Sequence, residues 1–136
     1  MRYSLKVPFL AFCLLILASL ACSGSFSTAN ISDAYLSKDD AGDQPTIVFA
    51  PTDTTVYLQV QLSNAPDDTT VKAVWTAVSV TGEEPNLLID ETTLTGGDGG
   101  YVFNLQNDNL WPAGQYKVDL YLNDELDRTL NFTIEE

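Results

Sequence analysis

Between Tyr116 and Leu122 every second residue is large and apolar: Tyr116, Val118, Leu120 and Leu122 alternate with Lys117, Asp119 and Tyr121. A period of two is that of a β-strand with one buried face. The stretch 55–62 repeats it, with Val56, Leu58, Val60 and Leu62 inward and Thr55, Tyr57, Gln59 and Gln61 outward. Tyr101, Phe103 and Leu105 are in phase, as are Leu130, Phe132 and Ile134. The stretch 70–80 differs. Ala73, Trp75 and Ala77 share one face, but Val74, Val78 and Val80 make the other apolar too, as in a central strand partly covered on its second side.

Two further stretches are weaker. Residues 31–36 read as a short first strand, with 46–50 as its bulged continuation, stopped by Pro51. Residues 87–95 alternate poorly, the mark of a sheet edge. Turn-forming clusters separate the strands, at 37–45, 64–68, 81–86 and 123–125. The tract Gly96-Gly97-Asp98-Gly99-Gly100 predicts a hairpin tip, because glycine accepts the positive φ of tight turns. No segment carries a helical period. Seven strands divided by turns predict an all-β antiparallel sandwich over residues 31–136, with a closed barrel as the alternative.

The run Leu110-x-Pro112-x-Gly114-x-Tyr116-x-Val118-x-Leu120 resembles the approach to the sixth strand of fibronectin type III domains and related immunoglobulin-like sandwiches. The resemblance implies a tyrosine corner, in which the Tyr116 hydroxyl bonds back to the backbone of the turn. Trp75 on the third strand is similar to the core tryptophan of immunoglobulin domains. The cysteine pair of antibody domains is absent, so the likeness is to cysteine-free relatives, as in small sandwich modules of bacterial lipoproteins. It implies a seven-stranded immunoglobulin-like fold and no particular function.

The N-terminus changes the expected setting. Arg2 and Lys6 precede an uncharged apolar run, 7–20, which has the layout of a secretory signal. The run is short for a membrane-spanning helix and carries Pro8, which leaves a retained anchor as the lesser reading. Ala18-Ser19-Leu20-Ala21-Cys22 resembles the lipobox of bacterial lipoproteins, which implies acylation of Cys22 as the new N-terminus. Ser19 and Leu20 depart from the commonest residues there, and cleavage after Ala21 with a free thiol is the alternative. The expected organisation is a lipoprotein signal peptide at 1–21, a flexible tether at 22–30 and the sandwich beyond. That places the protein outside the cytoplasm, lipid-anchored to a bacterial cell membrane. Cys13 would leave with the signal, so no internal disulfide is expected.

Charge and inventory narrow the chemistry. Without Arg2 and Lys6, four basic residues face nineteen acidic ones, a balance near −15. Such a domain does not bind nucleic acid by electrostatics. Histidine is absent, Cys22 is assigned to acylation, and Lys38, Lys72 and Lys117 stand in no nucleophile motif, so no catalytic residue and no enzyme activity is expected. The pairs Glu83-Glu84 and Asp90-Glu91 are adjacent, and neighbours on a strand point to opposite faces. No cofactor or metal residue is assigned. Oxygen ligands would suit only calcium, and Asp39-Asp40-Asp43, Asp67-Asp68 and Asp98 lack the spacing of a known calcium loop. Surface aromatics remain: Tyr57 and Tyr121 would form a binding platform if they shared a face, and Trp111 in the corner turn either adds to that surface or closes the end of the core. The expected partners are the membrane, through the N-terminal lipid, and an unidentified protein or glycan.

Overall fold

A computed structural model describes residues 27–136. The signal segment, Cys22 and the first part of the expected tether lie outside the described residues. Eight strands follow in order: β1 (Asn30–Ser37), β2 (Val48–Phe49), β3 (Thr55–Ser63), β4 (Thr70–Val80), β5 (Leu87–Thr95), β6 (Gly99–Gln106), β7 (Gly114–Leu122) and β8 (Glu125–Ile134). They form two sheets, a three-stranded one in the order β1-β3-β6 and a five-stranded one in the order β2-β8-β7-β4-β5.

The alternating residues fill the space between the sheets. From the smaller sheet come Leu36, Val56, Leu58, Val60, Leu62, Phe103 and Leu105, all buried. From the larger sheet come Val71, Ala73, Trp75, Ala77, Tyr116, Val118, Leu120, Phe132 and Ile134. The small Ala73 and Ala77 leave room on either side of the Trp75 indole, which meets Phe132 edge-on with ring centres 6.1 Å apart. Side chains at i and i+2 of a strand share a face, so large beside small is how a tryptophan fits there.

Four details differ from the sequence reading. The stretch 46–50 does not continue β1. Its core is β2, which crosses to the other sheet and pairs in parallel with β8 through Val48↔Thr133 and Phe49↔Ile134. Phe49, 1 % exposed, is what that short strand contributes to the core. Next, the glycine tract at 96–100 is not a hairpin tip. β5 pairs with β4 and β6 with β3, so the tract carries the chain from one sheet to the other. A register shift between Ala77 and Ser79 then turns Val80 from the outer face toward the core. Finally, Thr28, expected in the tether, donates from its hydroxyl to the Asn64 carbonyl at 2.7 Å. β5 does lie at a sheet edge, and β4 is an interior strand.

The ends of the sandwich are distinct. One carries Ser27 and the turns at 64–69, 96–98 and 123–124. The other carries the turns at 38–47, 50–54, 81–86 and 107–113, together with Glu135 and Glu136.

Candidate functional site

The corner before β7 is built from its own residues. Gly114 has φ 150°, and a Cβ there would strike the Ser79 carbonyl and Val80. Only glycine lets the two backbones approach in this way. Pro112 offers its carbonyl to the Tyr116 hydroxyl at 2.6 Å, the tyrosine corner that the motif implies. Burial pushes the Tyr116 phenol up to about 12, and the Glu83 carboxylate adds to the rise. Trp111 is 5 % exposed, and its ring N–H donates to the Asp53 carbonyl at 2.7 Å. Its backbone N–H donates to the Pro51 carbonyl at 3.0 Å, so Trp111 closes this end of the core rather than offering a ring to a ligand.

The other two aromatics of the expected patch are not brought together. Tyr57 is on β3 and faces outward from the smaller sheet, while Tyr121 is on β7 and faces outward from the larger one. Outer faces of a sandwich point away from each other, so the two rings belong to opposite sides of the molecule. Over Tyr121 lies the Lys72 ammonium, 4.7 Å from the ring centre and 3.7 Å from the Glu91 carboxylate.

The aromatic residue diagonal to Tyr57 on the same outer face is Tyr35, which the sequence reading passed over. Tyr35 stands opposite Gln59, and Ser37 opposite Tyr57. The register shift between Ile31 and Asp33 gives Tyr35 its outward phase. The loop after β1 folds over it: the Tyr35 hydroxyl donates to the Gly42 carbonyl at 3.1 Å, and the Gln59 amide donates to the Asp40 carbonyl at 3.0 Å. Beyond that loop the outer face of the smaller sheet holds Tyr57, Gln61, Val102, Asn104 and Gln106, with Asp33 at its β1 margin.

Two of the acidic clusters have a structural task. The Asp39 carboxylate accepts from the backbone N–H groups of Asp43 (2.9 Å) and Gln44 (2.8 Å), which close its loop. The Asp43 bond is the main cause that holds the Asp39 carboxyl below its ordinary value. Asp98 accepts from the Ala65 N–H at 2.6 Å and ties two turns together. Among the described residues no group of three or more His, Cys, Asp or Glu side chains is placed to hold a metal ion. The four basic groups sit beside carboxylates: Lys38 by Asp53, Lys72 by Glu91, Lys117 by Asp119 and Arg128 by Asp127.

Among solved structures the chain is similar to an immunoglobulin-like protein of Pseudomonas aeruginosa, with a TM-score of 0.54, 13 % identity, and 82 % of this chain covering 100 % of that one. It is also similar to part of a β-glucosidase of Listeria innocua solved with glucose, with a TM-score of 0.53, 14 % identity, and 83 % of this chain against 17 % of that one. A third is the alkylpurine DNA glycosylase AlkC of Pseudomonas fluorescens bound to DNA containing an abasic site analog, with a TM-score of 0.51, 14 % identity, and 81 % of this chain against 31 % of that one. No protein-family model matches the chain, and no curated protein matches it. At these identities the likeness is one of fold: the chain is an all-β protein with an immunoglobulin-like sandwich.

Proposed function

We propose that the chain is a lipid-anchored extracytoplasmic protein of a bacterial cell membrane whose sandwich acts by binding and not by catalysis. The observation that supports this best is where the domain takes up the chain. Thr28 is fastened to Asn64 at one end of the sandwich, six residues after Cys22. Six extended residues span at most about 20 Å, so an acylated Cys22 holds that end close to the bilayer. The long faces and the opposite end, with Leu110 and the Glu83-Glu84 turn, then remain free for a partner. A sandwich without histidine, whose basic groups lie beside carboxylates, suits recognition better than acid–base or nucleophilic chemistry.

The test of the anchor is Cys22→Ala followed by membrane fractionation and labelling with radioactive palmitate. The variant is expected to lose the label and leave the membrane fraction. A variant that stays in the membrane overturns the anchor.

A second reading, a neutral glycan on the smaller sheet, draws on one observation. Tyr57, Gln61, Asn104 and Gln106 form an outward face whose strands carry one carboxylate, Asp33, in a chain with nineteen acidic residues. Aromatic rings beside side-chain amides suit stacking and hydrogen bonding to sugars.

A further inference from the structure

The strand edges are protected unequally. β5 carries Asp90 and Glu91 and a register shift. β1 carries Asp33 and a shift between Ile31 and Asp33. β2 is two residues long and lies between Pro45 and Pro51. The part of β8 that β2 leaves unpaired carries Glu125, Asp127 and Arg128. Charges, prolines, bulges and shortness are the devices that keep sheet edges from pairing with other chains. β6 has none of them. Its eight residues include no charge and no proline, its ladder with β3 runs without a shift, and among the described residues it pairs with no other strand.

The ladder also shows which backbone groups are free. The Asn107 N–H donates to the Thr54 carbonyl at 2.9 Å, one step beyond the pair Thr55↔Gln106. Hydrogen-bonded pairs recur at every second residue of an antiparallel ladder, so Tyr101, Phe103 and Leu105 give their backbone groups to β3. Gly100, Val102, Asn104 and Gln106 direct theirs to the open edge. Val102 is 42 % exposed, an apolar side chain on the outer face beside that edge. Exposed carboxylates bracket the strand, Asp98 before it and Asp108 after it. Their ten-residue separation corresponds to about 33 Å of extended chain.

We propose that β6 is a docking edge for an extended segment of a partner protein, uncharged through its middle and flanked by lysine or arginine. The segment adds as a fourth strand to the smaller sheet. Backbone pairing to Gly100, Val102, Asn104 and Gln106 supplies the affinity. Val102 receives an apolar side chain, and Asp98 and Asp108 set the extent through the basic flanks. This rests on reading the chain as a binding module. It does not depend on the lipid, so the Cys22→Ala result and the edge result stand or fall separately.

The probe is a synthetic peptide of about eight residues, alternating threonine and valine between terminal lysines, a length matched to an ordinary strand. It is titrated into the full chain held in mild detergent, and binding is followed by calorimetry and amide hydrogen exchange. The expected result is saturable binding that slows exchange at Val102, Asn104 and Gln106. The same peptide N-methylated at alternate residues is expected not to bind. Asn104→Pro removes an edge N–H and no bond to β3, so binding is expected to fall at least about tenfold with the melting temperature held. If Asn104→Pro fails to fold, Val102→Lys carries the same expectation, because a charge guards the edge and repels the basic flanks. Absence of binding up to about 1 mM peptide, the weak limit of useful affinity, overturns the proposal. So does binding that survives both variants. A dimer of the protein alone that Asn104→Pro dissolves gives the edge to a second copy and overturns it. Saturable binding of a neutral oligosaccharide with the peptide inert assigns the face to glycan and likewise overturns it.

Discussion

Tyr116 joins three roles in one side chain. Its hydroxyl holds the Pro112 carbonyl, its ring stacks on Phe132 at 5.4 Å, and the Trp111 ring meets it edge-on at 6.1 Å. Removing the hydroxyl in Tyr116→Phe leaves the packing but orphans the Pro112 carbonyl, which is expected to cost about 1 kcal/mol or more at neutral pH. The pH dependence gives the sharper prediction. The phenol is raised from 10.0 to about 12 in the folded chain, first by burial and then by the Glu83 charge. Between those values the unfolded chain has lost the proton and the native chain keeps it. The stabilising contribution is therefore complete below pH 10 and is lost as pH rises toward 12. Wild type is expected to lose roughly 2 kcal/mol more than Tyr116→Phe over that window, since each unit is worth about 1.4 kcal/mol. Urea titrations at stepped pH measure the difference; parallel pH profiles for the two proteins would remove Tyr116 as the cause.

Among the elements, the β7–β8 turn shows how local chemistry fixes a hairpin. Asn123 and Asp124 have φ of 47° and 67°, and they close a two-residue loop between the paired Leu122 and Glu125. Two successive positive φ values are those of a type I′ turn, whose twist matches the strands and whose second position favours glycine. Asn123 has further partners: its side-chain Oδ1 accepts from the Thr70 N–H at 3.0 Å, and its side-chain Nδ2 donates to the Ser27 hydroxyl at 3.4 Å. Asp124→Gly is therefore expected to stabilise by about 0.5 kcal/mol, whereas Asn123→Gly destabilises by about 1 kcal/mol because the Thr70 N–H loses its acceptor. Denaturant midpoints of the two variants check the opposite signs. This turn and the long strands were legible in the sequence, because alternation and turn chemistry are properties of neighbouring residues, and the resemblance carried by residues 110–120 implied the tyrosine corner. The glycine tract was misread for the converse reason. Its residues specify a chain that can turn, but whether the next strand joins the same sheet depends on β3, which β6 meets through partners some forty residues earlier. β2 was hidden likewise, since two residues have no period and its partner, β8, lies at the other end of the sequence.

Across the whole molecule, what sequence could not supply was the assignment of strands to sheets. Tyr57 and Tyr121 were each read correctly as outward, yet outward means opposite directions on β3 and β7. The place of Trp111 in a turn leaves its burial open, and the 50–54 loop folding beneath it makes it part of the core. The same assignment disperses the charge. Four basic groups sit beside four of the nineteen carboxylates, and the other fifteen are spread over both ends and the faces. No described group of three converges on a metal position, and Asp39 and Asp98 already accept backbone N–H bonds. Divalent cations should then act on this protein by relieving self-repulsion within a Debye length of about 8 Å at physiological ionic strength, and not by occupying a built site. Calcium and magnesium at equal ionic strength are expected to raise the melting temperature equally, with no saturation at low concentration. A built calcium site would discriminate, because calcium takes more and longer oxygen contacts than magnesium accepts. A rise specific to calcium and saturating at micromolar concentration would therefore show that side chains converge on binding, and the dispersed-charge account would fall.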